Sequence, residues 1–522
     1  LIESSGVWQG QRQHWTAVYQ HQLLCQVQQL VIQIRENRQT RANLKPHFDS
    51  ILTILQQAWP VAALRPYCLD MVELLHPYPV YWMRGEAWQA QLERAIIHAA
   101  EMGESRRELL FTAELAHLLW RMGRIPAAAA VGKRAVQLGD GWQTAVLRSY
   151  AGYVAVFAMT RGGESEQAGP LLAELFARLE ADRPQLAHFQ YVTAWAYLCF
   201  QEMRLLRLAG RMTDALTLAT QVVTAVTAIQ SQLPPELLVK AYQYHMIFLW
   251  LNEQNDQALL VVQKVIALYE KMGDTVLQVY AIGEMGLIYY AMARYDEAEI
   301  AIRRSIAMAE QCNVLSQAAD EVGNLAAIYM ARGDMPTALR YVNCHWEMSL
   351  QLNDTGQISR AISNRSYINM QLGRYDEALP EMLESLTQLN ARGYKVVVTL
   401  THFLLATLYH QVQNEEQRDH HVQLGIELMA DLDSPAHTLV FLRMRAYFLP
   451  TSARRPLLEQ SLQMARKLHK HLDEAVALLW LAGTAPTPAE QEAIWQEGAA
   501  ILHRIGATYW LHGRSIAHPP FV

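Results

Sequence analysis

The side chains able to do chemistry stand in few combinations, and each is weak as a reaction centre. Cys344 and His345 are the one adjoining thiol and imidazole, yet a nucleophile and its base meet through the fold rather than through adjacency, so a buried thiol is expected. His420 and His421 are adjacent and His469 and His471 two apart, which turns each pair to different sides of a helix. The spacing H-E-x-x-H is nowhere present, so neither a metal nor a cofactor is expected. Asp296–Glu297 and Asp376–Glu377 enter a predicted helix, where negative charge complements the N-terminus; they read as solvated helix starts. Arg204 and Arg207, at i and i+3, share a helix face and either receive an acidic group or pair with a structural carboxylate such as Glu202. No catalytic residue follows from any of these, and the expectation is a protein that is not an enzyme.

What must position such side chains is a repeat. GEMGLIYYAMARYDEAE (283–299), GNLAAIYMARGDMPTAL (323–339) and SNRSYINMQLGRYDEAL (363–379) share one phrase, and Ala258, Ala298, Ala338 and Ala378 stand 40 apart. A strict period of this size means stacked copies of one supersecondary unit. The same step joins Trp88, Ala128 and Ala168, and continues to Arg418 and Leu458. Ala215 breaks it, 47 residues after Ala168 and 43 before Ala258, with the extra residues expected in the connectors around 182–184 and 231–235. Each unit reads as two helices. A small residue lies twelve positions before the anchor (Ala116, Gly286, Ala326, Ser366, Ala406, Ala446), often with an aromatic three further on (Tyr289, Tyr329, Tyr409). A turn residue lies five before it: Gly123, Gly163, Gly210, Ala293, Gly333 and Gly373. Neither helix can bury its apolar stripe alone, so neighbouring units must supply the other wall.

The order small-x-x-Tyr followed by Gly-x-Tyr-x-x-Ala resembles the tetratricopeptide repeat, lengthened from its familiar 34 residues. The resemblance implies an all-α, right-handed α-solenoid over residues 83–480, with an N-terminal helical cap at 1–82 and C-terminal capping helices and a tail at 481–522. A longer match, RGEAWQAQLERAIIHAAEMGES (84–105) and LLFTAELAHLLWRMGRIPAAAAVGKRAVQLGD (109–140), resembles the C-terminal sensor arrays of bacterial STAND proteins, NTPases of the NB-ARC or NACHT type, and of maltose-regulator-like activators. In that family the array binds a protein, peptide or small inducer and releases an NTPase. This chain has no G-x-x-x-x-G-K-[ST], so it resembles the sensor alone, and an NTPase module is expected in cis or in trans. Because the chain begins at Leu1 rather than Met, either a fragment, with a domain missing upstream, or an unusual start is expected.

In tetratricopeptide arrays the first helices line the concave face. By offset from the anchors, the resemblance places Tyr150, Tyr153 and Phe157, then Phe200, Arg204 and Arg207, then Lys240, Gln243, Tyr244 and Trp250 on the inner wall. Further along come Tyr280, Glu284, Tyr290, Asn324, Arg360, Asn364, Tyr367 and His410. Aromatics give large contact area with few rotors to freeze and Arg grips carboxylates bidentately, so a protein or peptide ligand is expected, with Asn324 and Asn364 pairing with its backbone amides. The same aromatics would also fill the interior of a tightly wound superhelix. Two functions remain open: a non-catalytic sensor of a STAND-type signalling or antiphage defence protein, and a free-standing scaffold for protein assembly.

The totals agree with a soluble array. The 522 residues are 51% hydrophobic and 18% charged with a net charge of −6, which supplies ample core but no basic field for a phosphate backbone, so no nucleic-acid partner is expected. The five cysteines are scattered without a C-x-x-C, which points to a reducing, cytoplasmic setting. No apolar run approaches the roughly 18 residues needed to cross a bilayer, and no membrane partner is expected.

Overall fold

The computed structural model describes residues 2–36, 44–76, 85–162, 164–209, 211–312, 314–352, 354–392, 395–430, 432 and 435–511. Among these there are 24 α-helices and no strand, packed consecutively as an α-solenoid. The chain forms two compact units, one of residues 1–248 with 267–274, the other of 249–266 with 275–522.

The N-terminal unit starts with α1 (Ile2–Glu36), α2 (Phe48–Ala58) and α3 (Arg65–Leu75), followed by α4 (Gly85–Glu101), α5 (Ser105–Arg121), α6 (Ile125–Leu138), α7 (Ala145–Arg161), α8 (Ser165–Asp182), α9 (His188–Leu208) and α10 (Met212–Ala228). It includes most of α11 (Pro235–Leu251), whose last residues, with most of α12 (Asn255–Met272), belong to the C-terminal unit. That unit continues as α13 (Thr275–Ala291), α14 (Tyr295–Gln311), α15 (Leu315–Arg332), α16 (Met335–Gln351), α17 (Thr355–Gln371), α18 (Tyr375–Arg392), α19 (Lys395–Gln411), α20 (Glu415–Ala430), α21 (Pro435–Tyr447), α22 (Thr451–Lys467), α23 (His471–Ala482) and α24 (Pro488–Arg504). The expected cap boundary at 82 lies outside the described residues, as does the tail beyond 511.

The two helices of a pair bury themselves differently. The second helix hides one stripe: in α14 the buried residues are Tyr295, Ala298, Ala301, Ile302, Ser305 and Ala309. The first helix is walled on several sides, and α15 buries residues from Gln317 to Ala331 around most of its circumference. The anchors mark where the two meet. Ala128, Ala168, Ala215, Ala258, Ala298, Ala338 and Ala378 are all fully buried, and Ser366 Oγ donates to the carbonyl of Ala378 at 2.6 Å. A Cβ at Gly286 would fall 2.5 Å from Ile302 Cγ1, so glycine permits this approach of α13 to α14. Arg418 departs from the pattern: it is half-buried and pairs with Glu415 and Asp419 on its own helix. One step past Leu458 the series reaches Gly498 in α24, where a Cβ would sit 3.1 Å from the carbonyl oxygen of Ala475.

The irregular spacing around Ala215 is shared between turns and a helix. Short 3₁₀ turns occupy Arg183–Gln185 and Gln230–Gln232, as the prolines imply, but α9 has 21 residues where α5, α7 and α10 have 17. The turn position five before each anchor is left-handed at Gly123, Glu253, Ala293, Gly333, Gly373 and Gln413. Gly163 and Gly210 lie outside the described residues. Three of these turns are thus held open without glycine, at a steric cost of about 1 kcal/mol each. Gln413 is exposed with φ 59°. Gln413→Gly should therefore raise stability by about 0.5 kcal/mol, after the larger unfolded-state entropy of glycine is subtracted. A urea midpoint lower than wild type would show that the side chain contributes more than its backbone strain.

Candidate functional site

In the N-terminal unit the rings of successive first helices meet in two groups, which the hydrogen bond between His117 and Tyr150 joins. His117 stacks on Trp120 in α5 (5.1 Å between centroids), and Trp120 meets Phe157 of α7 at 4.3 Å. Tyr150 of α7 touches Tyr197 of α9 at 5.3 Å, Tyr153 touches Tyr197 and Phe200, and Phe200 stacks on Tyr244 of α11 at 4.6 Å. Period sets this line, because residues on equivalent faces of successive first helices become neighbours. Tyr150, Phe157, Tyr197 and Tyr244 are half-buried, Tyr153 is 6% exposed and Phe200 fully buried. Burial pushes the phenols of Tyr197 (to about 12) and Tyr244 up, so both remain protonated donors at neutral pH.

Cations are fitted to these rings. Lys240 Nζ donates to the Tyr153 hydroxyl at 2.9 Å and sits 4.4 Å from its ring centroid. Arg204 lies over the Phe157 ring at 4.1 Å and its Nε donates to Thr160 Oγ1 at 2.8 Å, spanning from α9 to α7. Of the two alternatives for Arg204 and Arg207, the structural carboxylate is not found: neither makes an ion pair with Glu202 or another acid among the described residues, Arg204 packs into the wall and Arg207 is exposed. Burial holds the Arg204 guanidinium below its ordinary value, and the like charges of Arg161 and Arg207 act in the same direction. Deeper in, a polar knot ties the end of α3 to α5 and α7: Tyr150 donates to Glu114 Oε1 at 2.5 Å, His76 Nδ1 lies 2.8 Å from Glu114 Oε2, and His117 Nδ1 is 3.1 Å from the Tyr150 hydroxyl. Burial holds the His117 imidazole at about 3, hence neutral.

On the opposite side of α9 a cleft of about 620 Å³ is lined by Gly169, Ala173 and Phe176 of α8 with Glu202, Leu205 and Leu206 of α9. It falls in the irregular repeat and is also lined by Arg211, but no cation lies over a ring there among the described residues, as Arg204 and Lys240 do on the aromatic wall.

The C-terminal unit treats its equivalent residues otherwise. Its last helices turn back onto its first repeat: Leu478, Leu479, Ile501 and Leu502 of α23 and α24 share a core with Tyr295, Ala298, Leu325 and Ile328. Trp510 Nε1 donates to the Ala331 carbonyl at 2.8 Å, and its ring lies 3.0 Å from where a Cβ on Gly333 would be. Tyr290 packs at the margin of this core, 5.9 Å from Tyr295, and burial raises its phenol to about 12. Tyr367 is 3% exposed in a neighbouring core. Asn324, expected to meet a ligand amide, is occupied internally: its Nδ2 donates to Glu321 Oε2 at 3.0 Å and its Oδ1 accepts from Arg360 at 2.5 Å. Burial, with Glu321 as the second cause, lifts Glu284 to about 8, and burial lifts Asp320 to about 7. Trp250, Tyr280, Glu284 and Asn364 are half-buried. Composition does not reveal that the last helices of this chain pack back onto these repeats; Trp480 and Trp510, large apolar side chains in the terminal units, are the signal that points to it.

The histidine and cysteine neighbours separate. His345 is fully buried, held at about 4 by burial, and meets Gln357 at 3.2 Å, whereas Cys344, against the expectation of a buried thiol, is exposed beside Met348 because the two point to different faces of α16. His421 pairs across α19 and α20 with His402 at 2.9 Å and stacks on Tyr409. Asp296 bonds Arg332 at 2.5 Å and Glu297 bonds Arg294 at 2.6 Å, both at the surface.

No protein-family model matches the sequence, and no curated protein matches it. Solved structures do. The structure of a Rap protein complexed with competence and sporulation factor superposes with a TM-score of 0.51 at 14% identity, over 69% of this chain and 97% of that one. The array is tetratricopeptide-like. It is also similar to NprR in complex with its cognate peptide NprX (TM-score 0.46, 12% identity, 67% of this chain and 98% of that one). A third match is the STAND protein PH0952 from Pyrococcus horikoshii, described as having a tetratricopeptide repeat sensor (TM-score 0.44, 14% identity, 65% of this chain and 52% of that one). No helix among the described residues is long and apolar enough to cross a membrane.

Proposed function

We propose that the chain is a non-catalytic, ligand-sensing module of a bacterial STAND-type signalling or defence protein, and that it holds a polypeptide against the aromatic wall of its N-terminal unit. One observation carries the reading: rings from four successive first helices meet their neighbours from helix to helix, partly exposed at Trp120, Tyr150, Phe157, Tyr197 and Tyr244, with Lys240 and Arg204 fitted among them. Such a surface offers rigid apolar area with polar tips, the composition of binding hot spots rather than of a reaction centre. Tyr153, Arg204, Arg207 and Tyr244 are the contact residues we assign there. Trp250, Tyr280, Glu284, Tyr290, Asn324, Arg360, Asn364 and Tyr367 are assigned a secondary role, because several of them already serve the C-terminal unit internally. The NTPase that such a sensor would control is a partner in cis or in trans.

The test is capture of ligands from a mixture of short random peptides on the immobilised chain, followed by fluorescence polarisation of the best binder. Tyr244→Ala should weaken that binder about tenfold while the helical circular dichroism signal stays. Equal affinity for the variant would remove the wall from the reading.

A further inference from the structure

We propose that the peptide's recognised feature is a carboxylate, received by Arg161, Arg204 and Arg207 at one rim of the aromatic wall. This rests on the reading of the wall as a peptide site. Arg161 ends α7, and Arg204 and Arg207 lie in the last two turns of α9, so the three guanidiniums gather where neighbouring first helices end. On α9 the residues Phe200, Arg204 and Arg207 share one face; on α7 so do Tyr150, Phe157 and Arg161. Arg161 and Arg207 both act on Arg204 as like charges, and none of the three makes an ion pair among the described residues.

That lack is notable in this chain, which carries more acids than bases and pairs many of its arginines. Arg107, Arg148, Arg332, Arg365 and Arg443 all bind carboxylates. Neutralising the carbonyl ends of α7 and α9 would need only one exposed cation per helix. It does not explain why Arg204 is drawn inward, over Phe157 and onto Thr160, with its Nε committed and its Nη atoms left without a protein acceptor among the described residues. A guanidinium so oriented is pre-organised for bidentate bonding, and two further positive charges beside it raise the attraction for an anion. Glu114, the buried acid of this wall, is already taken by His76 and Tyr150.

A single-stranded nucleic acid would also use arginines and rings, but its bases need open ring faces on which to stack. Here the faces are spent: Phe157 carries Arg204, Tyr153 carries Lys240, and Phe200 lies against Tyr244. A carboxylate needs only the rim. It arises from an Asp or Glu side chain or from a peptide's C-terminus.

The experiment repeats the capture with the full chain and two synthetic mixtures of short random peptides, one of free acids and one of C-terminal amides, read by mass spectrometry. Enrichment of Asp and Glu in both mixtures assigns the rim to side-chain carboxylates, and capture confined to free acids assigns it to the terminal carboxylate. In either case Arg161→Ala/Arg207→Ala, two exposed sites whose loss leaves the core intact, should weaken the best acidic peptide about tenfold, with a smaller loss at high salt. Peptides captured without acidic preference, or bound equally by that variant, overturn the carboxylate and leave the wall as a peptide site. Capture of nothing overturns both readings, and arginine-dependent binding of oligothymidylate in place of peptides assigns the surface to another class of ligand.

Discussion

Asp473→Ala lowers the stability of the C-terminal unit by about 3–5 kcal/mol, the largest loss expected from a single truncation in the chain. Arg443, in α21, is 1% exposed and donates from Nη2 to Asp473 Oδ1 at 2.5 Å, with Asp473 at the start of α23. Its Nε has no partner, so Asp473 is the carboxylate that makes the buried charge tolerable. Deleting the acid strands a cation in a part of the chain where Leu442, Met444 and Ala475 are buried too, and among the described residues Asp473 is the acid that pairs with Arg443. The double variant Arg443→Met/Asp473→Leu should recover most of the loss, since an apolar pair of similar volume has no charge to desolvate. The urea midpoint of the unfolding transition measures both. A loss under about 1 kcal/mol in the single variant would mean that water reaches the guanidinium after all.

Glu284→Gln changes the pH profile of the same unit. The Glu284 carboxyl is lifted from 4.5 to about 8 by burial and then by Glu321, and its Oε2 is shut from solvent without a hydrogen bond. Glu321 is itself raised by burial, although Asn324, Gln317 and Ser305 donate to it, and Asp320 is raised to about 7 with Arg360 acting in the opposite direction. A carboxyl raised on folding binds its proton more tightly in the native state. Its stabilising contribution is therefore complete below about 4.5 and is lost as pH climbs through about 8. Wild type should weaken between pH 5 and 8 on this account, whereas the amide, which does not titrate, should flatten that slope and be more stable at pH 8 by on the order of 2 kcal/mol. Unfolding midpoints across this range decide it. An unchanged slope in the variant would assign the titration to Asp320 or Glu321.

Much of the array is written in the residues themselves. Ala258 to Ala378 must lie at close helix contacts, because only a small side chain repeated at a fixed offset explains their period, and all are buried. The left-handed turns five residues earlier follow from the glycines, and their continuation to Glu253 and Gln413 shows the register surviving where the glycine does not. The file of touching rings on the first helices is legible in part. Offset alone places Tyr150, Tyr153, Phe157, Phe200 and Tyr244 there; Trp120 and Tyr197, which close the line, sit on the same helix faces but stand outside the expected set. Asn324 and Tyr290 read like ligand contacts because exposure cannot be seen in a string of residues, and their partners Arg360 and Tyr295 lie within the array.

The division has one physical reason. Contacts between a residue and its equivalent one repeat away leave a periodic mark, since each copy must solve the same packing problem with the same side chains. Hence the order of amino acids is enough to specify the helix pairs, their register, their turns and the file of first-helix side chains. The return of α23, α24 and Trp510 onto residues 295–333 joins positions as far apart as 179 residues, and no repeated offset encodes such a contact. It therefore takes the folded chain to establish that α23, α24 and Trp510 pack back onto the first repeats of the C-terminal unit, and that Arg161, Arg204 and Arg207 stand beside the N-terminal rings with no ion pair among the described residues.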